Sequence, residues 1–106
     1  MNPPHRSACP IARTLDHVGD KWTLLILRDA LVFKAKSFAE FEQSPENIPT
    51  SLLADRLKRL VKAGFLEKMP YQEKPVRHHY VPTEKAKALR PVIQAMKKFG
   101  ETELKG

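Results

Sequence analysis

The chain has 106 residues, 42% of them hydrophobic, which suits one compact domain with its own core and leaves no room for a second. Nineteen Lys and Arg against twelve Asp and Glu give a formal net charge of +7, favouring a polyanionic partner such as nucleic acid or an anionic membrane surface. No apolar run approaches the roughly 20 residues that span a bilayer, Met1-Asn2-Pro3-Pro4-His5-Arg6 lacks a signal peptide's apolar stretch, and Cys9 is the one cysteine, so a cytoplasmic protein without an intrachain disulfide is expected.

Residues 1–9 carry Pro3 and Pro4 and read as an extended arm. Pro10 suits the first turn of a helix, where its missing N–H costs nothing. Ile11, Leu15 and Val18 follow at helical spacing, and Gly19 ends that segment. Asp20 is a plausible N-cap for a second helix from Lys21 to about Val32. This helix is apolar nearly all round, as expected at the centre of a core, and Trp22 is expected in that core.

Ser37-Phe38-Ala39-Glu40 is a capping-box pattern that opens a short helix through Gln43. A turn-like stretch at 44–49 precedes a fourth helix, from about Thr50 to Ala63, with Gly64 placed for a left-handed C-cap. Residues 65–69 and 79–81 read as short strands around a polar turn containing Pro70 and Pro75, a hairpin. Thr83 caps a last helix, 83–104, with Leu89, Val92, Ile93, Met96 and Phe99 recurring every three or four residues.

Three helices followed by a hairpin make a winged helix-turn-helix, an α+β fold that is mostly α, with the helix-turn-helix at 37–63 and the wing at 65–81. In such folds the helix before the hairpin enters a DNA major groove. Leu53, Leu57, Leu60 and Val61 form one apolar stripe on that helix, and Ser51, Asp55, Lys58, Arg59 and Lys62 project away from it. Arg56, Lys58, Arg59 and Lys62 against Asp55 give +3 over 50–62, whereas 37–49 carries −3. Solvated helix charges are the bland alternative. Lys74, Arg77, His78 and His79 add a second basic group where a wing needs one.

Three blocks resemble the HxlR-type regulators, a branch of winged-helix proteins related to the MarR group. They are CPIARTLDHVGDKWTLLILRDAL at 9–31, IPTSLLADRLKRLVKAGFLEK at 48–68 and RHHYVPTEKAKAL at 77–89, with Phe38 and Phe41 between the first two. Ala86 stands where members often carry Gly, and the helix opens on the variant Ile48-Pro49-Thr50. The resemblance implies a dimeric, sequence-specific regulator binding double-stranded DNA at an inverted repeat. The start of the recognition helix would approach base edges through Thr50, Ser51 and Asp55, with Ala54 near a thymine methyl. Arg56, Lys58 and Arg59 would meet phosphates or a guanine, and Lys74, Arg77 and His78 would serve the wing. For Arg56 the alternative is an intramolecular salt bridge that orients the helix. The homodimer interface would draw on Ile11, Leu15, Leu89, Val92, Ile93, Met96 and Phe99.

Some proteins resembling this one use a cysteine at the place of Cys9 to sense oxidants or small electrophiles. An N-cap position favours a thiolate, and Arg13 adds positive charge; the alternative is a buried or capping thiol. His17, His78, His79 and Cys9 lack the spacing of a zinc site, so no metal or cofactor is expected. With no Gly-rich phosphate loop and no paired nucleophile and base, catalysis is not expected either. A winged-helix module that binds RNA or another protein is the competing reading.

Overall fold

In the computed structural model of the protein, Pro10 opens helix α1 (Pro10–Val18), with Cys9 in extended conformation before it. The structure describes residues 8–104, so most of the expected arm lies outside the described residues. Gly19 closes α1 with a 2.8 Å N–H bond to the Leu15 carbonyl. A Cβ there would sit 2.5 Å from that oxygen, which explains a glycine at this point.

Helix α2 (Thr23–Leu31) starts two residues later than expected. Asp20 still serves its N-terminus, accepting from the Trp22 and Thr23 backbone N–H groups at 3.2 Å and from the Thr23 hydroxyl. Ile26, Leu27, Ala30 and Leu31 are buried, so α2 forms the centre of the core. Trp22 packs at the rim of that core instead of inside it, with the Lys21 ammonium 4.7 Å from its ring.

The capping box forms as expected at α3 (Phe38–Phe41): the Glu40 N–H donates to Ser37 Oγ, and Glu40 accepts from the Ser37 N–H. Those backbone bonds from Ser37 and Lys36 hold the Glu40 carboxyl below its ordinary pKa. Phe41 is fully buried and meets Tyr80 edge-on, which joins α3 to the hairpin.

Helix α4 (Thr50–Lys62) lays Leu53, Leu57 and Leu60 against α2. Its C-terminus is a Schellman motif: the Phe65 N–H reaches the Leu60 carbonyl at 2.9 Å and the Gly64 N–H reaches Val61 at 3.1 Å. Gly64 takes φ +84°, the left-handed region. Gly64→Ala is therefore expected to lower the unfolding free energy by about 1–2 kcal/mol, read by urea denaturation. A neutral result would mean the joint relaxes to another turn.

Strands β1 (Leu66–Glu73) and β2 (Val76–Pro82) pair antiparallel from Leu66↔Pro82 to Glu73↔Val76, with a bulge between Pro70 and Gln72. Both run longer than the sequence pattern indicated, because ladder bonds continue through the polar residues around Pro70 almost to the tip. The wing base is pinned twice. The Tyr80 N–H donates to the Lys36 carbonyl at 2.7 Å, and the Thr83 hydroxyl donates to the Gly64 and Phe65 carbonyls at 2.6 and 3.2 Å.

The expected single last helix is two: α5 (Glu84–Lys87) and α6 (Arg90–Glu103). Pro91 has no N–H to continue the ladder and breaks it at Ala88 and Leu89. The break turns Leu89 into the core beside Ala86, away from the exposed stripe in which its spacing had placed it.

A candidate nucleic-acid interface

Pro49 precedes α4 without a side-chain cap, so the first N–H groups of the helix keep their positive end for an outside acceptor. Thr50, Ser51, Ala54, Lys58, Arg59 and Lys62 are exposed, on the side opposite the buried leucines. This face combines small polar groups near the start with bases from the second turn onward. Such a surface can read base edges and hold phosphates at once.

Arg56 behaves differently from its neighbours. Its side chain is only 15% exposed; Nε donates to Asp20 at 3.0 Å and a terminal nitrogen donates to Asp55. Asp55 also accepts from Arg59 Nε at 3.0 Å. A chain of alternating charge thus runs from the start of α2 to the outer face of α4. Burial opposes ionisation of Asp20, but hydrogen bonds from Thr23, Arg56 and Trp22 outweigh it and hold its carboxyl below the ordinary value. The Asp20 hydrogen bond likewise raises the pKa of Arg56. The alternative role for Arg56, a salt bridge orienting the helix, is the arrangement observed. Its fork is spent on two carboxylates, and Asp55 is spent on two arginines.

A second clamp was not legible in the sequence. Arg28 of α2 grips Glu46 in the turn before α4 with two bonds of 2.7 and 2.8 Å, and Asp29 with bonds of 2.7 and 3.0 Å. Ser44 Oγ donates to the same Glu46. The Arg28 bond drops the Glu46 carboxyl to about 2. This network fixes the turn between α3 and α4, and hence the angle at which α4 leaves it.

On the wing, Lys74 and Arg77 are exposed near the tip, together with Tyr71, Gln72 and Val76. His78 is half-buried and lines a recess of about 270 Å³ together with Phe38, Tyr80 and the wing residues Tyr71, Val76 and Arg77. His79 stacks on Tyr71, ring centroids 4.0 Å apart. Among the described residues no cluster of His, Cys, Asp and Glu could hold a metal ion, and no helix is long and apolar enough to cross a membrane.

Three helices whose last runs through a glycine joint into a pinned antiparallel hairpin define a winged helix-turn-helix domain. The chain belongs to the HxlR-like helix-turn-helix family, whose model matches residues 17–106. It is 36% identical over 94 residues to an uncharacterized HTH-type transcriptional regulator of Mycobacterium tuberculosis, covering 89% of this chain and 58% of that protein. The chain thus spans little more than half the length of that relative. Among solved structures, PA1607 superposes with a TM-score of 0.82 at 36% identity, covering 95% of this chain and 69% of that one. The redox regulator HypR in its reduced form gives 0.76 at 29% identity, over 89% of this chain and 92% of HypR.

Proposed function

We propose that the protein is a transcriptional regulator that binds double-stranded DNA sequence-specifically, as a homodimer on an inverted repeat, without catalysing a reaction. The observation that carries this reading is the exposed face of α4: Thr50, Ser51 and Ala54 at an uncapped N-terminus, followed by Lys58, Arg59 and Lys62. Lys58 and Arg59 take phosphates, Thr50, Ser51 and Ala54 take base edges, and Lys74 and Arg77 take the backbone beside the wing. Asp55 and Arg56 act by orienting the helix. The dimer is supported by an apolar stripe left uncovered on α1 and α6: Ile11 at 72% exposure, with Leu15, Val92, Met96 and Phe99. Fluorescence anisotropy with duplex DNA from the region upstream of the gene tests the reading. Binding to double-stranded RNA as tight as to any DNA duplex would overturn it.

Lys58→Ala is expected to weaken binding to all duplexes and to flatten the salt slope by about one unit. Ser51→Ala is expected to leave that slope alone and shift preference at one or two base positions. A reversed pattern, with Lys58 altering base preference, would assign the two roles the other way.

A thiol switch at Cys9 belongs to the same proposal. Cys9 is exposed and adjoins α1, one of the two helices with uncovered apolar faces, and a structural relative is a redox regulator. Oxidation of the two Cys9 thiols of the dimer to an intersubunit disulfide, with an oxidant such as diamide taking up the two electrons and two protons, or alkylation there, would alter the dimer and so the spacing of the two α4 helices. Cys9→Ser is expected to bind DNA as the parent does and to lose release by the thiol oxidant diamide. Full release from the Cys9→Ser protein would dispose of the switch.

A further inference from the structure

We propose that the cleft between α1 and α5 is a binding site for a small amphipathic monoanion, a carboxylate carried on an apolar body. The cleft has a volume of about 510 Å³, within the range of small-molecule sites. Val18, Phe65 and Leu89 supply apolar lining, and Arg13, His17 and Lys85 supply nitrogen donors. Among the described residues no Asp or Glu lines it. Glu84, the acid next to Lys85 in sequence, pairs with Lys87 instead.

The adjoining cleft, which shares His17 and Phe65, makes the contrast plain. It measures about 340 Å³ and is lined by Asp16 and Asp20 as well as Arg59. Carboxylates there would repel an anion. The charge on the two sides of the His17–Phe65 pair therefore differs in kind, and only the α1–α5 side suits a carboxylate.

Lys85 is held in place before any ligand arrives. Its ammonium donates to the Ala63 carbonyl at 2.8 Å and lies 4.6 Å from the Phe65 ring centroid. An ammonium has three N–H donors, so it can receive a carboxylate while keeping the Ala63 bond. Arg13, one turn into α1, forms no ion pair with the described residues and offers its whole fork. A carboxylate bridging Arg13 and Lys85 would rest its apolar body on Phe65 and Leu89. Phe65 is the residue that follows the Gly64 joint, and Ala63 ends α4. Occupancy is thus felt where the recognition helix meets the wing.

The test is an amide NMR titration of the full chain without DNA, so it stands or falls apart from the regulator reading. Three probes separate charge from body: phenylacetate has both, acetate only the charge, and phenylacetamide only the body. Phenylacetate is expected to give saturable shifts at Arg13, Thr14, Phe65 and Lys85. Acetate and phenylacetamide are each expected to bind about tenfold more weakly, the scale of one lost charge-assisted or apolar contact. Lys85→Met should weaken phenylacetate by a similar factor, but it also removes the Ala63 bond. Arg13→Gln, on an exposed side chain, makes the same test without touching that joint. Absence of saturable shifts, equal binding of phenylacetamide, or unchanged phenylacetate binding by Arg13→Gln would overturn the proposal.

Discussion

Replacing Arg28 with alanine is expected to lower the unfolding free energy by about 3 kcal/mol, the largest loss from any single charged side chain described above. Asp29 is only 3% exposed, and both bonds to its Oδ1 come from Arg28. Its Oδ2 already has no hydrogen-bond partner. Without the guanidinium, a buried carboxylate would stand uncompensated, and desolvation would no longer be offset. Glu46 would be released at the same time, loosening the turn before α4. Asp29→Asn in the Arg28→Ala background should restore part of the loss, because a neutral amide is cheaper to bury. Arg28→Lys should restore little, since one ammonium cannot reproduce a fork that serves two carboxylates. Urea denaturation measures all three. A loss under about 1 kcal/mol would mean the pair behaves as an exposed one.

The same clamp sets an acid limb. Glu46 titrates near 2 in the folded protein against an ordinary 4.5. A depressed carboxyl contributes stability that is present above its unfolded pKa and lost as pH falls through the folded one. The parent should therefore lose stability between about 4.5 and 2, in the same direction as Asp20. Arg28→Ala should show a shallower limb in that window.

The second large effect concerns assembly. Phe99→Glu is expected to convert the proposed dimer to monomers and to cost about hundredfold in affinity for a two-site operator, the scale of avidity lost when two linked contacts become one. Phe99 is 58% exposed and α6 buries no residue in the single chain. The fold should survive the substitution, and binding to a single half-site should change little. Sedimentation together with anisotropy on one-site and two-site duplexes reads both. A dimer that persists with Glu at position 99 would move the interface elsewhere.

Much of this was visible from local patterns. The Ser37–Glu40 capping box, the leucine stripe of α4, Gly64 as a left-handed cap and the hairpin after it all depend on residues a few positions apart. Helical and strand periodicity report such neighbours directly. The exposed bases Lys58, Arg59, Lys74 and Arg77 were equally legible, because charges on the outer face of an amphipathic helix or at a turn have nowhere else to go. Leu89 was misplaced because spacing alone treats 83–104 as one helix, whereas Pro91 splits it and rotates Leu89 inward. The wing strands run longer than local periodicity indicates for a related reason. Proline and polar residues near a hairpin tip read as turn, yet a bulge lets the ladder continue past Pro70.

Local order along the chain was enough to give the architecture, the basic face of α4 and the hairpin after it, since helix periodicity, caps and turn residues are all set by near neighbours in sequence. Which charged groups remain available on that helix was settled only by the folded arrangement. Asp20 and Arg56 are 36 positions apart and Arg28 and Glu46 are 18 apart, distances over which no periodicity carries information. Packing α2 against α4 brings these pairs together in a partly desolvated setting, where a geometric fork and a nearby carboxylate outweigh exposure. The four arginines and lysines of 50–62 therefore divide into one that aims the helix and three that face outward.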